Sequence, residues 1–323
     1  MRTIRGDGAA GPAERGASAA LGNFDGVHLG HQAVIEAARR ARPDAPLAVA
    51  TFAPHPRRWF APESPPFELM DPQARARRLE KLGVELLFEM RFDAALAAMS
   101  PAEFCEQVLV GRLGVAHVTV GADFCFGRGR SGDVATLRAE GARLGFGATA
   151  VDLVGGAAAA VSSTAIRAAL ADGRPQDAAR MLGHWHRIEG RVAHGEKRGR
   201  TLGYPTANLP IEGVLAPRFG VYAVLADVLD GPHAGAYRGV ASLGVRPMFG
   251  VNAPNLETHL FDFRGDLYGA GLSVALVDFQ RPEAVFDGLD ALVAQMDADS
   301  AQARRTLDRR PTPHLGPLLN PMS

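Results

Sequence analysis

Two cysteines, Cys105 and Cys125, are all that the 323 residues contain. They are too few for a disulfide framework and too far apart for a CxxC metal knuckle. They read as buried thiols in a reducing cytosol. An excess of either charge is missing as well: Lys+Arg and Asp+Glu each total 35, for a formal net charge of zero. This excludes a global pull toward nucleic acid or an anionic membrane and leaves only local basic patches. The longest small-apolar run, residues 155–161, is too short to span a bilayer. Pro12, Glu14 and Arg15 interrupt the N-terminus, so no signal-peptide core stands there. No GxxxxGK[ST] occurs, which excludes a P-loop. The expected protein is cytoplasmic, acts on small molecules, binds neither nucleic acid nor membrane, and is a monomer or weak homo-oligomer.

What is present is an ordinary globular balance, 47% hydrophobic and 22% charged, in a chain long enough for two domains. The first half alternates strand and helix signals. Apolar runs at 17–21, 47–52, 84–88, 116–121 and 148–154 predict strands. Asp71-Pro72 opens a helix that stops at Gly83, and Ser100-Pro101-Ala102-Glu103 is a capping box opening another. Such alternation implies a parallel sheet covered on both faces.

In the second half, strand-like runs at 188–192, 220–229, 237–243, 256–263 and 272–279 are separated by Gly/Pro turns. That spacing suggests an antiparallel sheet or small barrel. A helix follows with Leu289, Leu292, Val293, Met296 and Leu307 on one face. Beyond it, four prolines between 311 and 321 predict a disordered tail. The expected divisions are 1–183, 184–307 and a tail at 308–323.

The most informative stretch is GNFDGVHLGH, residues 22–31. It lies between a predicted strand and a helix, so His28 and His31 sit at a helix start. Backbone N–H groups and the helix dipole there favour an anion, and Gly22 and Gly30 allow phosphate oxygens to approach. The imidazoles can donate hydrogen bonds to a polyphosphate as its charge builds. A metal pair is the alternative for the two histidines, but no third ligand has suitable spacing. Ser162, Ser163 and Thr164 open another helix with Arg167 one turn on, a hydroxyl cluster suited to phosphate or a plain N-cap.

Pro54-His55-Pro56 follows the second strand as a rigid loop whose histidine is a ligand contact or a turn residue. Asp123, Phe124 and Phe126 follow another strand, with aromatics suited to a planar ring or to the core. Residues 127–132 match GxGxxG, but late in the sheet order and crowded with arginine. They read as a mobile loop beside the first site rather than a dinucleotide fingerprint.

The second strong signal is GEKRGRTLGYPTAN, residues 195–208. Its glycine-rich basic part, with Gly195, Arg198, Gly199 and Gly203, can wrap phosphates or simply face solvent. After Pro205, Thr206 and Asn208 stand two apart in an extended segment and point their oxygens the same way, hard ligands that suit Mg²⁺ bound to ATP, or form a plain polar turn. Glu257 lies early in a largely apolar strand. It is placed either to accept a hydroxyl proton or to face solvent at an edge.

With FAPHP, VGADFCFG, VSSTAIR, FGVYAV, ETHLFDF and DLYG in order, the chain from about 17 to 307 resembles the bacterial bifunctional riboflavin kinase/FAD synthetases. Its HxGH and SSTxxR motifs are similar to those of the nucleotidyltransferase superfamily. The resemblance implies an α/β fold: an N-terminal Rossmann-like nucleotidyltransferase domain with a parallel sheet, then a C-terminal antiparallel six-stranded β-barrel with a terminal helix. The N-terminal domain would move AMP from ATP to FMN, giving FAD and pyrophosphate. The barrel would phosphorylate the 5′-hydroxyl of riboflavin, with Mg²⁺ accompanying ATP.

The resemblance implies adenylyltransferase ATP contacts at Gly22, Asn23, Phe24, Asp25, His28, Gly30, His31, Ser162, Ser163, Thr164 and Arg167. FMN contacts would fall on Pro54, His55, Pro56, Asp123, Phe124 and Phe126. Kinase ATP contacts would fall on Gly195, Arg198, Gly199, Gly203, Pro205, Thr206 and Asn208, with metal at Thr206 and Asn208 and catalysis at Glu257. Asp123 stands where relatives have Asn, Ala165 where Arg is frequent, and Arg246 and Met248 where Asn and Thr are usual. One alternative keeps only one half active, the other being a regulatory flavin- or nucleotide-binding domain. Another, an oxidoreductase built on GxGxxG, leaves both strong motifs unexplained.

Overall fold

The computed structural model describes residues 1–152, 161–194, 203–248 and 251–309. The chain divides into two compact units, Met1–Pro65 with Pro72–Ser162, and Pro66–Asp71 with everything from Ser163.

The first unit is a parallel sheet of β1 (Arg2–Gly6), β2 (Ser18–Leu21), β3 (Leu47–Ala53), β4 (Leu86–Arg91), β5 (His117–Gly121) and β6 (Gly147–Val151). The spatial order is β1-β4-β3-β2-β5-β6, every pair parallel. Helices α1 (Leu29–Ala41), α2 (Pro56–Phe60), α3 (Pro72–Lys81), α4 (Ala94–Ala98), α5 (Pro101–Glu103) and α6 (Val134–Leu144) fill the connections. The central strands are short and apolar because both faces are covered: β2 is buried along its whole length. Leu21, Phe88, Met90, Val118 and Val120 are each 2% exposed or less, and each contributes about 1.5–3 kcal/mol by leaving water.

Three features depart from the sequence expectation. β1 adds an edge strand that its arginines conceal. It is held in register with β4, where Arg5 Nε donates to buried Glu89 at 2.8 Å and Arg75 Nη2 at 3.1 Å. The capping box at Ser100 is formed, but its α-helix lasts one turn before the backbone widens into a π-helix over Phe104–Arg112. The 127–132 loop, expected to be mobile, is tied to its neighbours. Arg128 N donates to Met99 O at 2.7 Å, and Phe126 pairs with Gly132. A Cβ on Gly127 would lie 2.8 Å from the Pro101 ring and one on Gly132 2.9 Å from it. These glycines serve close packing rather than a phosphate.

The second unit opens with α7 (Ser163–Ala171) and α8 (Pro175–Leu182). It continues as β7 (Arg187–Arg191), β8 (Ala207–Pro210), β9 (Gly220–Val228), β10 (Gly235–Met248), β11 (Val251–Leu260) and β12 (Gly271–Arg281). The order is β7-β12-β9-β10-β11-β8, all antiparallel. A bridge from Ala193 to Asn208 brings β8 back beside the end of β7 and nearly closes the barrel. Leu209, Val224, Leu243, Leu256, Leu272 and Leu276 fill the interior, none more than 0% exposed.

The C-terminal helix, Leu289–Asp308, buries Asp299, Ala303 and Leu307. Leu289, expected on the buried face, is 64% exposed. The buried stripe is completed instead by Asp299, paired with Arg281 at 2.6 Å. Of the tail expected at 308–323, Asp308 ends the helix with Arg309 as its C-cap, and residues from 310 onward lie outside the described residues.

The strap Pro66–Asp71 belongs to the second unit through its backbone. Arg167 Nε donates to Phe67 O at 2.8 Å, Leu215 N to Glu68 O at 2.8 Å, and His186 Nε2 to Leu69 O at 3.0 Å. Burial lowers the His186 imidazole from 6.5 to about 4, although the Leu69 carbonyl favours its protonated form. Between those values the unfolded chain binds a proton that the folded one refuses. The stability present above pH 6.5 is therefore lost as pH falls toward 4. The full loss is about 3 kcal/mol on the scale of one pKa unit per 1.4 kcal/mol. Thermal denaturation across this window should steepen below pH 6.5. His186→Gln, which can donate to Leu69 but does not titrate, should flatten the dependence. An unchanged slope in the variant excludes His186 as the cause.

Candidate active sites

In the first unit the strand order reverses between β2 and β5, and ligands of parallel sheets bind beyond the strand ends at such a point. The β2–α1 turn is tightly fixed there. Phe24 and Val27 hold positive φ of 51° and 43°, a cost carried by full burial of both side chains. Thr51 Oγ1 donates to Asn23 O at 3.0 Å, and Gln32 Nε2 to Val27 O at 2.9 Å. Neither side chain was singled out from the sequence, because nothing in a lone Thr or Gln marks it as a loop brace.

His28 caps α1, its Nδ1 accepting from His31 N at 3.3 Å. The two imidazoles stack with centroids 3.6 Å apart, and Phe24 lies 5.0 Å from the His31 ring. Gly30 makes room for this: a Cβ there would stand 3.1 Å from His28 Cε1. Burial, then repulsion from His28, holds the His31 imidazole well below its usual 6.5, so it is neutral in neutral solution. Its buried Nδ1 has no partner, and α1 has no acidic residue in its first turn. A neutral imidazole, a helix N-terminus with no acidic residue in its first turn and a rigid turn suit an anion whose charge grows during reaction.

Asn23 is exposed, Asp25 is buried, and Gly22 sits where a Cβ would touch the Phe24 ring at 3.5 Å. His55 caps α2 through Nδ1 from Arg57 N at 3.0 Å, with Pro54 exposed and Pro56 half-buried. Asp123 is exposed and Phe124 half-buried, while Phe126 is 6% exposed against Phe104 in the core. Phe124 and Phe126 stack at 5.8 Å, so the inner ring braces the outer one. Ser162 closes the first unit, and a Cβ on Gly30 would lie 3.7 Å from the preceding Val161 O. Ser163, Thr164 and Arg167 lie in the second unit on α7, where Arg167 stacks over the Phe67 ring at 5.3 Å.

In the barrel, Glu257 pairs across strands with Asn208 on one side and Ser242 on the other. Carboxylate and carboxamide therefore project from one face as direct neighbours. Asn208 is 8% exposed, and its Oδ1 accepts from Asn255 Nδ2 at 2.9 Å. Thr206 is half-buried, Pro205 exposed, and Gly203 carries φ of 81°. Pro205 O faces His259 Nδ1 at 3.0 Å, and Tyr204 leans on the His259 ring while its hydroxyl bonds Asp297. Gly195, Arg198 and Gly199, and the side chains of Arg246 and Met248, lie outside the described residues.

One site thus stands at the switch point of a parallel sheet and the other on a face of an antiparallel barrel. The FAD synthetase family model matches residues 11–165, and the riboflavin kinase family model residues 182–307. A bifunctional riboflavin kinase/FMN adenylyltransferase of Pseudomonas fluorescens is 41% identical over 94% of this chain and 97% of its own. One of Escherichia coli K12 is 39% identical over 90% and 93%. The chain belongs to the bifunctional riboflavin kinase/FMN adenylyltransferase family.

Its N-terminal region is an FAD synthetase domain and its C-terminal region a riboflavin kinase domain. The reading with one inactive half finds no support in either match. A Streptococcus pneumoniae crystal structure described as a macrolide-efflux protein shares the architecture. Its TM-score is 0.82 at 30% identity, over 94% of this chain and 99% of that one. Efflux is said of that protein; among the described residues here, no helix is long and apolar enough to cross a membrane.

Proposed function

We propose that residues 1–183 transfer AMP from ATP to FMN and that residues 184–307 phosphorylate riboflavin, with the residue roles that follow. In the first reaction an FMN phosphate oxygen attacks the α-phosphorus of ATP and pyrophosphate leaves. The α1 N-terminus with His28 and His31 stabilises the charge that builds on the α-phosphate. Ser162, Ser163, Thr164 and Arg167 hold the ATP phosphates. Asp123, Phe124 and the Pro54-His55-Pro56 loop face FMN, with Phe126 bracing Phe124 from behind.

In the second reaction Glu257 orients the riboflavin 5′-hydroxyl and accepts its proton as oxygen attacks the γ-phosphorus. The observation that carries this is the direct cross-strand pairing of Glu257 with Asn208. Thr206 hydroxyl and Asn208 Oδ1 are hard oxygen donors on a face where Asn255 Oδ1 is buried without a partner. Such a donor set fits Mg²⁺ brought by ATP. Bound there, the ion would neutralise phosphate charge.

The same reading sets a monomer or weak homo-oligomer in the cytosol, with riboflavin, FMN and ATP as its small-molecule partners, and the two free cysteines suit a reducing compartment. Chromatography of riboflavin incubated with the protein, ATP and Mg²⁺ tests the division. FMN should appear first and FAD later. FMN alone, or FAD only from supplied FMN, restricts activity to one half, and neither product from folded protein refutes it.

A further inference from the structure

β11 does more than carry Glu257. At alternate positions it presents Asn255, Glu257 and His259 on one face, and both outer residues bond to the segment 205–208. Asn255 is 1% exposed and donates through Nδ2 to Asn208 Oδ1 at 2.9 Å. That bond occupies one lone pair of the oxygen and fixes the rotation of the Asn208 amide, leaving the other lone pair for a ligand. Buried amides without such a partner lose both orientation and hydrogen-bond energy.

At the other end, His259 Nδ1 meets Pro205 O at 3.0 Å. A carbonyl only accepts, so this ring nitrogen carries the proton. Tyr204 packs on the same imidazole at 4.9 Å between centroids, and its hydroxyl ties the segment to Asp297 of the C-terminal helix. Thr206 follows Pro205 directly, and Ala207 is paired with Thr258. The segment is thus held at both ends by the strand that supplies the carboxylate.

We infer that Asn255 and His259 are positioning residues for the kinase reaction, locking Thr206 and Asn208 in the orientation that receives the metal-bound phosphates of ATP. The inference rests on the assignment of Thr206 and Asn208 to that ligand. It explains why a largely apolar strand places polar side chains at both positions flanking Glu257 on the same face. It also makes the relation between acceptor site and donor site a matter of strand register.

The test uses the full chain with Asn255→Leu, similar in size but without the donor, and His259→Gln and His259→Asn. An asparagine amide reaches about where Nδ1 stands, whereas glutamine reaches toward Nε2. Asn255→Leu and His259→Gln should raise KM for MgATP in riboflavin phosphorylation about tenfold, the scale of one lost orienting hydrogen bond. Calorimetric binding of MgADP should weaken in parallel. KM for riboflavin and FAD formation from supplied FMN should be unchanged, and His259→Asn should behave as the parent.

Unaltered MgATP and MgADP parameters overturn the inference. So do equal losses for both substrates, or His259→Asn being as impaired as His259→Gln. Thr206→Ala and Asn208→Ala separate the two levels. If they too leave MgATP binding intact, the assignment of the segment falls. If they weaken it while Asn255→Leu and His259→Gln do not, the positioning role alone falls.

Discussion

His31→Ala should lower FAD formation from FMN and ATP by about 10²–10³-fold, the usual loss when one preorganised donor to a developing oxyanion is removed. Riboflavin phosphorylation by the same preparation should be unchanged. The substitution is a clean probe because the cap of α1 survives it: His28 Nδ1 accepts from the backbone N–H of residue 31, not from its ring. What disappears is the imidazole stacked on His28 at 3.6 Å, whose buried Nδ1 has no partner. His28→Ala would remove the cap as well, at a further cost of about 1 kcal/mol in helix stability, and is harder to interpret.

The environment of His31 also sets a pH expectation. Since burial and His28 hold its proton affinity far down, acidification to pH 6.5 leaves the ring neutral. FAD formation should show no acid limb from His31 at that pH. Measured initial rates of both reactions, with a melting curve for each variant, decide the matter. Full FAD formation in His31→Ala, or loss of both reactions in a folded variant, defeats the assignment.

Where each element could be read in the sequence follows from what holds it. β2 to β5 are apolar runs because both faces are covered, and a covered face leaves a compositional trace. β1 leaves none: Arg2-Thr3-Ile4-Arg5 is an edge strand stabilised by register with β4 and by the Arg5–Glu89 pair, contacts 84 residues apart in the chain. The strap at Pro66–Asp71 is equally silent, since backbone carbonyls of Phe67, Glu68 and Leu69 make its attachments whatever side chains it bears.

The C-terminal helix shows the opposite error. Leu289 fits the apolar spacing, yet the buried stripe runs through a salt-bridged aspartate that a hydropathy pattern counts as solvent-facing. At the sites, residues that carry a motif were legible and those that hold the motif in place were not. His28 with His31 and Thr206 with Asn208 stand out by spacing, whereas Glu257 is a lone carboxylate in a largely apolar strand that only the family resemblance singles out. Thr51, Gln32, Asn255 and His259 acquire meaning only from a register or a turn that brings them to a backbone carbonyl or an amide.

Glu257→Gln should lower riboflavin phosphorylation by about 10²–10⁴-fold, the range for loss of a positioned proton acceptor. FAD formation from supplied FMN should continue at the parent rate. Glutamine keeps the size of the side chain and its place opposite Asn208 and Ser242, so β11 retains its pairing and the barrel its closure. It cannot take the proton of a primary hydroxyl. Glu257→Asp keeps the carboxylate but draws it back by one methylene, and should fall between parent and Gln.

The order Glu, Asp, Gln therefore separates proton acceptance from hydrogen bonding alone. A carboxylate that merely oriented riboflavin would be replaced well by the amide, with Asp the worse substitute because of its reach. Transfer in such enzymes depends on holding donor and acceptor in line, and under the proposed assignment the strand pairing that sets Glu257 beside Asn208 would serve that alignment. Rates with Gln equal to the parent would remove Glu257 from the chemistry.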